Sequence, residues 1–450
     1  MYFLYSILTA TGMLLLSPYF AVKGFRTAKY WHNLRERFGD LPAEVVARAS
    51  QAEGAIWIHA VSVGEVLAAI PFGRELKQRY PERRIFVSTT TDTGQRLARE
   101  RFDFADGVFY FPLDFRAAVR RAFRAIRPAL VVIVETEIWP NFLREARDRN
   151  VPVVFINARI SERSFRRSKT WRHVSFGFYE QVLGDATLFL AQSEADAARL
   201  DEMGAPPDRV VVTGNLKYDG EPPAVGAFVK WLARQTQAQE RWPLVVAGSV
   251  VADEEDAVLA AYDIVQRQWR RALLVIAPRK PDRFDIAARI VADRGWKAVR
   301  RSTLDLARPL DENADVLLLD SIGELGGMYS IADAVFVGGS LVNAGGHNIL
   351  EPAWFERPPV FGPSMENFRE MAQLFFSEGA GIQVRSGEQL GKTWVQLIRD
   401  TAVRDRMGKK AKELAEKNRG ATARSIEYVA KILQADRLQP NRLQQNRSSV

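Results

Sequence analysis

Short apolar runs alternate with helix-patterned stretches along most of this 450-residue chain. In the first half the runs are Ala55–Ser62, Arg84–Thr90, Val108–Leu113, Leu130–Glu135, Val153–Asn157, Leu188–Gln192 and Val210–Gly214. Each is rich in Val, Ile or Phe and bounded by polar or turn residues, which predicts strands. Helix-patterned stretches such as Gly64–Arg79 and Phe115–Ile126 separate several of them. That alternation is the βαβ signature of a parallel sheet. The second half repeats it with Leu244–Ala247, Leu273–Ala277, Val316–Leu319, Ala334–Val337, Val360–Phe361 and Ile382–Val384. Between the halves, Lys217–Trp242 carries Gly220, Pro222, Pro223 and a Gln-rich stretch, and reads as a linker. The pattern predicts an α/β protein of two doubly wound domains, 23–216 and 243–433, facing one another across a cleft. Arg404–Asn418 and Ala423–Leu433 are amphipathic and close the second domain, and Gln434–Val450 reads as a disordered polar tail.

The N-terminus breaks the alternation. Tyr2–Val22 is almost wholly apolar and uncharged, near the ~20 residues of a bilayer-spanning helix. Lys23, Arg26, Lys29, Arg35 and Arg37 follow, against the single acid Glu36. Residues 1–22 are therefore expected to form a membrane-anchor helix with the rest of the chain on the cytoplasmic side. No basic segment precedes the apolar run, so a cleaved signal peptide fits less well.

Composition narrows the chemistry. The chain has no cysteine, which excludes disulfides, thiolate metal sites and cysteine nucleophiles. Its histidines, His32, His59, His173 and His347, are scattered without metal-ligand spacing. A net charge of +9 favours anionic partners. The 63 basic residues are interspersed with 54 acidic ones, unlike a nucleic-acid-binding groove, so no nucleic-acid partner is expected.

Candidate chemistry collects at the predicted strand ends, where parallel sheets bind ligands. In the first domain, His59-Ala-Val-Ser-Val-Gly-Glu65 joins a strand to a helix. Gly64 allows a tight turn beside Ser62, and Glu65 can serve as a general base on a sugar hydroxyl or as a carboxylate at the helix start. Ser88-Thr-Thr-Thr-Asp-Thr-Gly94 offers Thr91 and Thr93 to phosphate or hydroxyls, or as helix caps. Glu135-Thr-Glu-Ile-Trp-Pro-Asn141 ends an apolar strand in two acids. Of these, Glu137 is the candidate, because unpaired acids at buried strand ends are costly. Asn157–Arg172 is strongly basic, and its Arg163 and Arg166 suit lipid phosphates or a solvated face. Gly214-Asn-Leu-Lys-Tyr-Asp219 puts Lys217 in the cleft or in a structural turn.

In the second domain, Gly338–Ala353 (GGSLVNAGGHNILEPA) follows a strand and carries Asn348 and Glu351 near the start of a helix. Glycines let backbone amides approach a phosphate, and an amide and a carboxylate suit sugar hydroxyls. Gly248 and Ser249, Arg279 and the Ile322-Gly323-Glu324 turn occupy three further strand exits, so four loops converge on a nucleotide-sugar site. No GxxxxGK[ST], GxSxG, kinase set or strand-end DxD is present. The expectation is a transferase that uses cationic side chains and helix dipoles, with no metal or other cofactor.

In their order, HAVSVGE, TTTDTG, ETEIWPN, NARISERSFRR, GNLKYD, APRK, Gly323-Glu324-Leu325 and GGSLVNAGGHNILEP resemble the bacterial 3-deoxy-D-manno-octulosonic acid (Kdo) transferases of lipid A assembly. The resemblance spans roughly residues 1–430. It implies a GT-B fold, CMP-Kdo as donor and the tetraacylated lipid A precursor lipid IVA as acceptor. It implies an inner-membrane location through the N-terminal anchor, with catalytic domains on the cytoplasmic face and inner-membrane lipid as a partner. The family glutamate falls on Glu65 as general base, and family CMP-binding positions fall on Pro278, Arg279, Ile322–Glu324 and Asn348–Glu351. Many relatives have proline where this chain has Ile349. A nucleotide-sugar epimerase on the same fold is the alternative; it would need no lipid acceptor and no anchor.

Overall fold

A computed structural model describes residues 1–26, 33–51, 54–162, 164–168 and 177–437. The chain forms two compact units, Met1–Gly220 with the segment from Asn418 onward, and Glu221–Lys417. Each unit is built on a seven-stranded sheet whose strand pairs are parallel.

In the first unit the strands are β1 (Ala55–His59), β2 (Ile85–Thr89), β3 (Gly107–Tyr110), β4 (Pro128–Val134), β5 (Val153–Ala158), β6 (Leu188–Ala191) and β7 (Val210–Val212). Their order is β3-β2-β1-β4-β5-β6-β7. Winding reverses between β1 and β4, which pair with His59 opposite Ile133. Helices cover both faces, and β1, β2 and β5 are buried along their whole length. This is why these strands read as continuous apolar runs.

In the second unit the strands are β8 (Leu244–Val250), β9 (Leu273–Pro278), β10 (Ala298–Arg300), β11 (Val316–Leu318), β12 (Ala334–Val337), β13 (Val360–Phe361) and β14 (Ile382–Gln383). The order β10-β11-β9-β8-β12-β13-β14 reverses between β8 and β12, with Gly248 opposite Val337. The edge strand β10 escapes sequence reading because three half-exposed residues carry no apolar run.

Three expectations change. The linker 217–242 contains a helix, Ala227–Ala238, whose Phe228, Val229, Trp231 and Leu232 enter the core of the second unit. The units divide at Gly220 instead. The last helix, Ala421–Arg437, was expected to close the second domain but belongs to the first unit. Its Ile426, Val429, Ala430 and Leu433 share a core with Val66, Ala69, Phe72 and Leu76 of the helix Val63–Arg79. An amphipathic stripe shows that a helix buries one face, not which core receives it. The same helix runs into the segment expected to be disordered; residues 438–450 lie outside the described ones.

The third change concerns the N-terminus. Tyr2–Arg26 is helical, but no helix among the described residues is long and apolar enough to cross a membrane. The expected anchor helix, and the inner-membrane placement that rested on it, do not stand. The start of the helix is fastened to the first unit through polar groups on one face. The Tyr2 hydroxyl donates to Asp185 (2.6 Å), Tyr5 to Asp114 (3.0 Å) and Ser6 to Asn141 (2.9 Å). Tyr2 also packs edge-on against Phe178, beneath the Arg144 guanidinium. An apolarity count overlooks this face, because two of its three polar side chains are tyrosines.

The return of the last helix depends on Asp219, whose carboxylate accepts from the amides of Gly420 and Thr422. Asp219→Ala should lose about 2–4 kcal/mol through these two charge-assisted bonds, read as a lower urea midpoint. An unchanged midpoint would show that helix packing alone fastens the C-terminus.

Candidate active site

The β1 exit sets the first half of the site. His59 is fully buried, stacked on Phe111 at 3.8 Å and bonded through Nδ1 to Ser88. Burial pushes its pKa down to about 3, so the ring is neutral. From this rigid strand end the chain turns into the helix Val63–Arg79, capped by Ser62. Ser62 Oγ accepts from the Glu65 amide and donates to Glu65 Oε1 at 2.8 Å, while the Val61 amide donates to Glu65 Oε2 at 2.8 Å. This is a variant of the capping box in which the carboxylate takes the amide of Val61, the residue before the cap, instead of the cap's own. Glu65 therefore fulfils the helix-start role and holds one fixed orientation. Gly64 is not in a left-handed conformation; a Cβ there would meet only Ser62 Oγ at 3.9 Å. The turn does not require it.

Glu65 is 8% exposed, and its pKa rises to about 7. Burial is the main cause, followed by the charge of Glu135 and, more weakly, of Glu137. Glu137 rises to about 7 for the same two reasons, burial and then Glu135. Neighbouring carboxylates at a strand exit are a usual mark of a functional site. The strand register explains the grouping: β1 and β4 are neighbours at the winding reversal, so Val61–Glu65 and Glu135–Glu137 leave side by side.

Glu135 is the residue that sequence reasoning passed over in favour of Glu137. Its φ of 59° is left-handed, a conformation that costs a non-glycine residue of order 1–3 kcal/mol and clusters at functional sites. Lys217 Nζ sits 3.2 Å from Glu135 Oε1. Lys217 is brought there by Asn215, which caps its amide, and by Asn157, which accepts from the Leu216 amide. Thr91 caps the helix Asp92–Arg101 and donates to the Val61 carbonyl, tying the β2 exit to the Glu65 turn. Thr93 is exposed. Arg166 pairs with Glu162 on the surface, away from this cluster's bonds, and Arg163 lies outside the described residues.

In the second unit, Gly248 and Ser249 lie just before Val250, the end of β8. A Cβ on Gly248 would strike the Tyr329 hydroxyl, and Ser249 is left-handed at φ 55°. Pro278 is buried at the end of β9, and Arg279 follows it exposed, its amide bonded to the Val250 carbonyl at 2.8 Å. Arg279 acts electrostatically on both Glu351 and His347. Burial lifts Glu351 to about 7 against the pull of Arg279 and of Asn348. His347 donates from Nδ1 to the Gly338 carbonyl at 2.7 Å, and burial pushes its pKa below the usual imidazole value. Gly323 is left-handed at φ 91°, which puts Ile322 out at 82% exposure. The Glu324 carboxylate is committed to Arg301 and the Ser321 hydroxyl.

The glycine-rich segment departs from expectation. The amides of Gly339, Ser340 and Leu341 are not open to a ligand; they donate to the buried carboxylate of Glu254. The helix after the segment is the single turn Leu350–Ala353, too short to offer a macrodipole. Asn348 Oδ1 accepts from the Leu350 amide at its start.

A family model described as 3-deoxy-D-manno-octulosonic-acid transferase (kdotransferase) matches residues 32–220. A 3-deoxy-D-manno-octulosonic acid transferase of Haemophilus influenzae is 32% identical over 440 residues, covering 96% of this chain and 99% of the relative. The chain belongs to this transferase family. A Bordetella pertussis transferase of the same name is 31% identical over 388 residues, 83% of this chain and 86% of that one. Among solved structures, UDP-GlcNAc 2-epimerase from Neisseria meningitidis superposes with a TM-score of 0.54 at 13% identity, over 84% of this chain and 100% of that one. That likeness concerns fold alone. The two parallel-sheet units are consistent with the GT-B fold, and the epimerase alternative gains nothing beyond it. Among the described residues, no group of three or more His, Cys, Asp or Glu is arranged to hold a metal ion.

Removing the Glu135 charge should release Glu65. In Glu135→Gln, the Glu65 midpoint should move below about 7, as followed by carboxylate carbon NMR. A midpoint that stays in place would show that the Glu135 charge does not set it.

Proposed function

We propose that this Kdo transferase takes Kdo from CMP-Kdo and attaches it, with inversion, to lipid IVA. Glu65 removes the proton from an acceptor hydroxyl, whose oxygen attacks the anomeric carbon of Kdo from the face opposite the CMP phosphate. The observation that carries this reading is the Glu65 carboxylate, held by the Val61 amide and Ser62 hydroxyl and lifted to about 7. A base that titrates near the working pH is present in its active form without losing proton affinity.

On the donor side, Arg279 meets the departing phosphate, while Asn348 and Glu351 hold the ribose or cytidine. Support comes from the electrostatic grouping of Arg279, His347 and Glu351 at neighbouring strand exits. Gly248, Ser249 and the Ile322–Glu324 turn complete the donor side; Ile322 offers an exposed apolar side chain to the base. On the acceptor side, Glu137 and the Glu135–Lys217 pair offer polar partners to sugar hydroxyls and phosphate. Exposed arginines such as Arg35 and Arg166 suit the phosphates of lipid IVA and of inner-membrane lipid.

The test is transfer from CMP-Kdo, generated in situ, to lipid IVA in detergent, read by mass spectrometry. Stepwise gain of Kdo units is expected and counts the residues transferred. Folded, CMP-binding protein that adds none would overturn the acceptor assignment. Glu65→Gln should lose about 10²–10⁴-fold in kcat while CMP affinity stays near wild type. Wild-type turnover in that variant would sink the base assignment.

A further inference from the structure

Glu254 has no role in the mechanism above, yet it is fully buried and has no ion-pair partner among the described residues. It stands just ahead of the helix Glu255–Gln268. Four backbone N–H groups converge on its carboxylate. Oε2 accepts from Gly339 at 2.6 Å and Val251 at 3.1 Å; Oε1 accepts from Ser340 and Leu341, both at 2.8 Å. Three successive amides that curl around one anion form a nest, the arrangement glycine-rich loops use to bind phosphate. Here the anion is part of the chain.

The nest requires its glycines. A Cβ on Gly338 would lie 2.6 Å from the Ser249 carbonyl and 2.9 Å from Glu254 Oε2, and Gly339 is left-handed at φ 67°. The carbonyls of these same two residues then carry the next part of the loop. Gly338 accepts from His347 Nδ1 at 2.7 Å, and Gly339 accepts from the Gly346 amide at 2.7 Å. A continuous set of short bonds therefore runs from Glu254 through Gly338 and Gly339 to Gly346 and His347, the residues before Asn348. The Val251 bond ties the β8 exit, with Gly248 and Ser249, to the same carboxylate.

We propose that Glu254 is a positioning residue for the donor nucleotide: its carboxylate fills the amide nest after β12 as an internal substitute for phosphate, and so fixes the segment carrying His347 and Asn348. The inference rests on the reading that this segment binds the CMP part of the donor. It explains why the motif is rich in glycine although its first amides are withheld from ligand. The glycines admit a carboxylate, and the ligand meets what that carboxylate holds in place.

The experiment compares wild type with Glu254→Gln and Glu254→Ala, measuring CMP affinity by calorimetry, steady-state constants for both substrates, and melting temperature. Glu254→Gln keeps the shape of the side chain but sets an NH2 group against amide donors. It should weaken CMP binding and raise the KM for CMP-Kdo on the order of tenfold, with the KM for lipid acceptor unchanged and kcat at saturating donor within about twofold. Formate should restore CMP affinity to Glu254→Ala by refilling the nest, whereas chloride at equal ionic strength should not. Folded Glu254→Gln with wild-type CMP affinity would overturn the proposal. So would a general loss of melting temperature and kcat that leaves the KM for CMP-Kdo unchanged. Should the alanine variant fail to fold, the split between KM and kcat in Glu254→Gln decides alone. Wild-type protein that binds no CMP would sink the donor reading itself, and this inference with it.

Discussion

A parallel sheet opens a crevice only where its winding reverses, and this chain meets that constraint twice. Between β1 and β4, and again between β8 and β12, the connections leave in opposite directions and expose adjacent strand ends. The Glu65 turn and the Glu135–Glu137 run leave the first reversal; Gly248–Ser249 and the glycine-rich segment leave the second. The buried strands beneath make each exit a fixed origin. His59, neutral and stacked on Phe111 at the end of β1, shows how the core makes the strand exit rigid.

Carboxylates do much of the local organisation. Glu65 bonds the Val61 amide, Asp219 those of Gly420 and Thr422, Asp114 those of Asn141 and Phe142, and Glu254 four amides at once. Turns that follow buried strands leave amides without ladder partners, and an unpaired buried amide is costly. An acid from a neighbouring element satisfies several together and ties that element to the turn. Burial also raises Glu65, Glu137 and Glu351 to about 7, and Glu65 thereby both holds its turn and titrates where proton transfer is useful.

The strand set was legible because strands buried on both faces must be apolar throughout. All but the half-exposed β10 were visible as runs, most within a few residues of their observed ends. Motif positions were legible for a related reason: ligand-facing residues interrupt apolar runs at their carboxyl ends. The direction of each side chain there was not. Sequence put Glu137 ahead of Glu135, although Glu135 is the one twisted into left-handed backbone and paired with Lys217, 82 positions later. It offered the amides after β12 to a phosphate, although Glu254, 85 positions earlier, already occupies them.

The sequence by itself determined two parallel α/β sheets, their strand exits and the transferase family, since local periodicity and short motifs carry all three. Only the tertiary structure decided which core each amphipathic helix joins. It returned Ala421–Arg437 to the first unit, drew Ala227–Ala238 into the second, and fastened the start of the apolar N-terminal helix to Asp114, Asn141 and Asp185. The reason is physical. Periodicity is a property of neighbours along the chain, whereas burial, charge pairing and the filling of an amide nest join groups far apart in sequence.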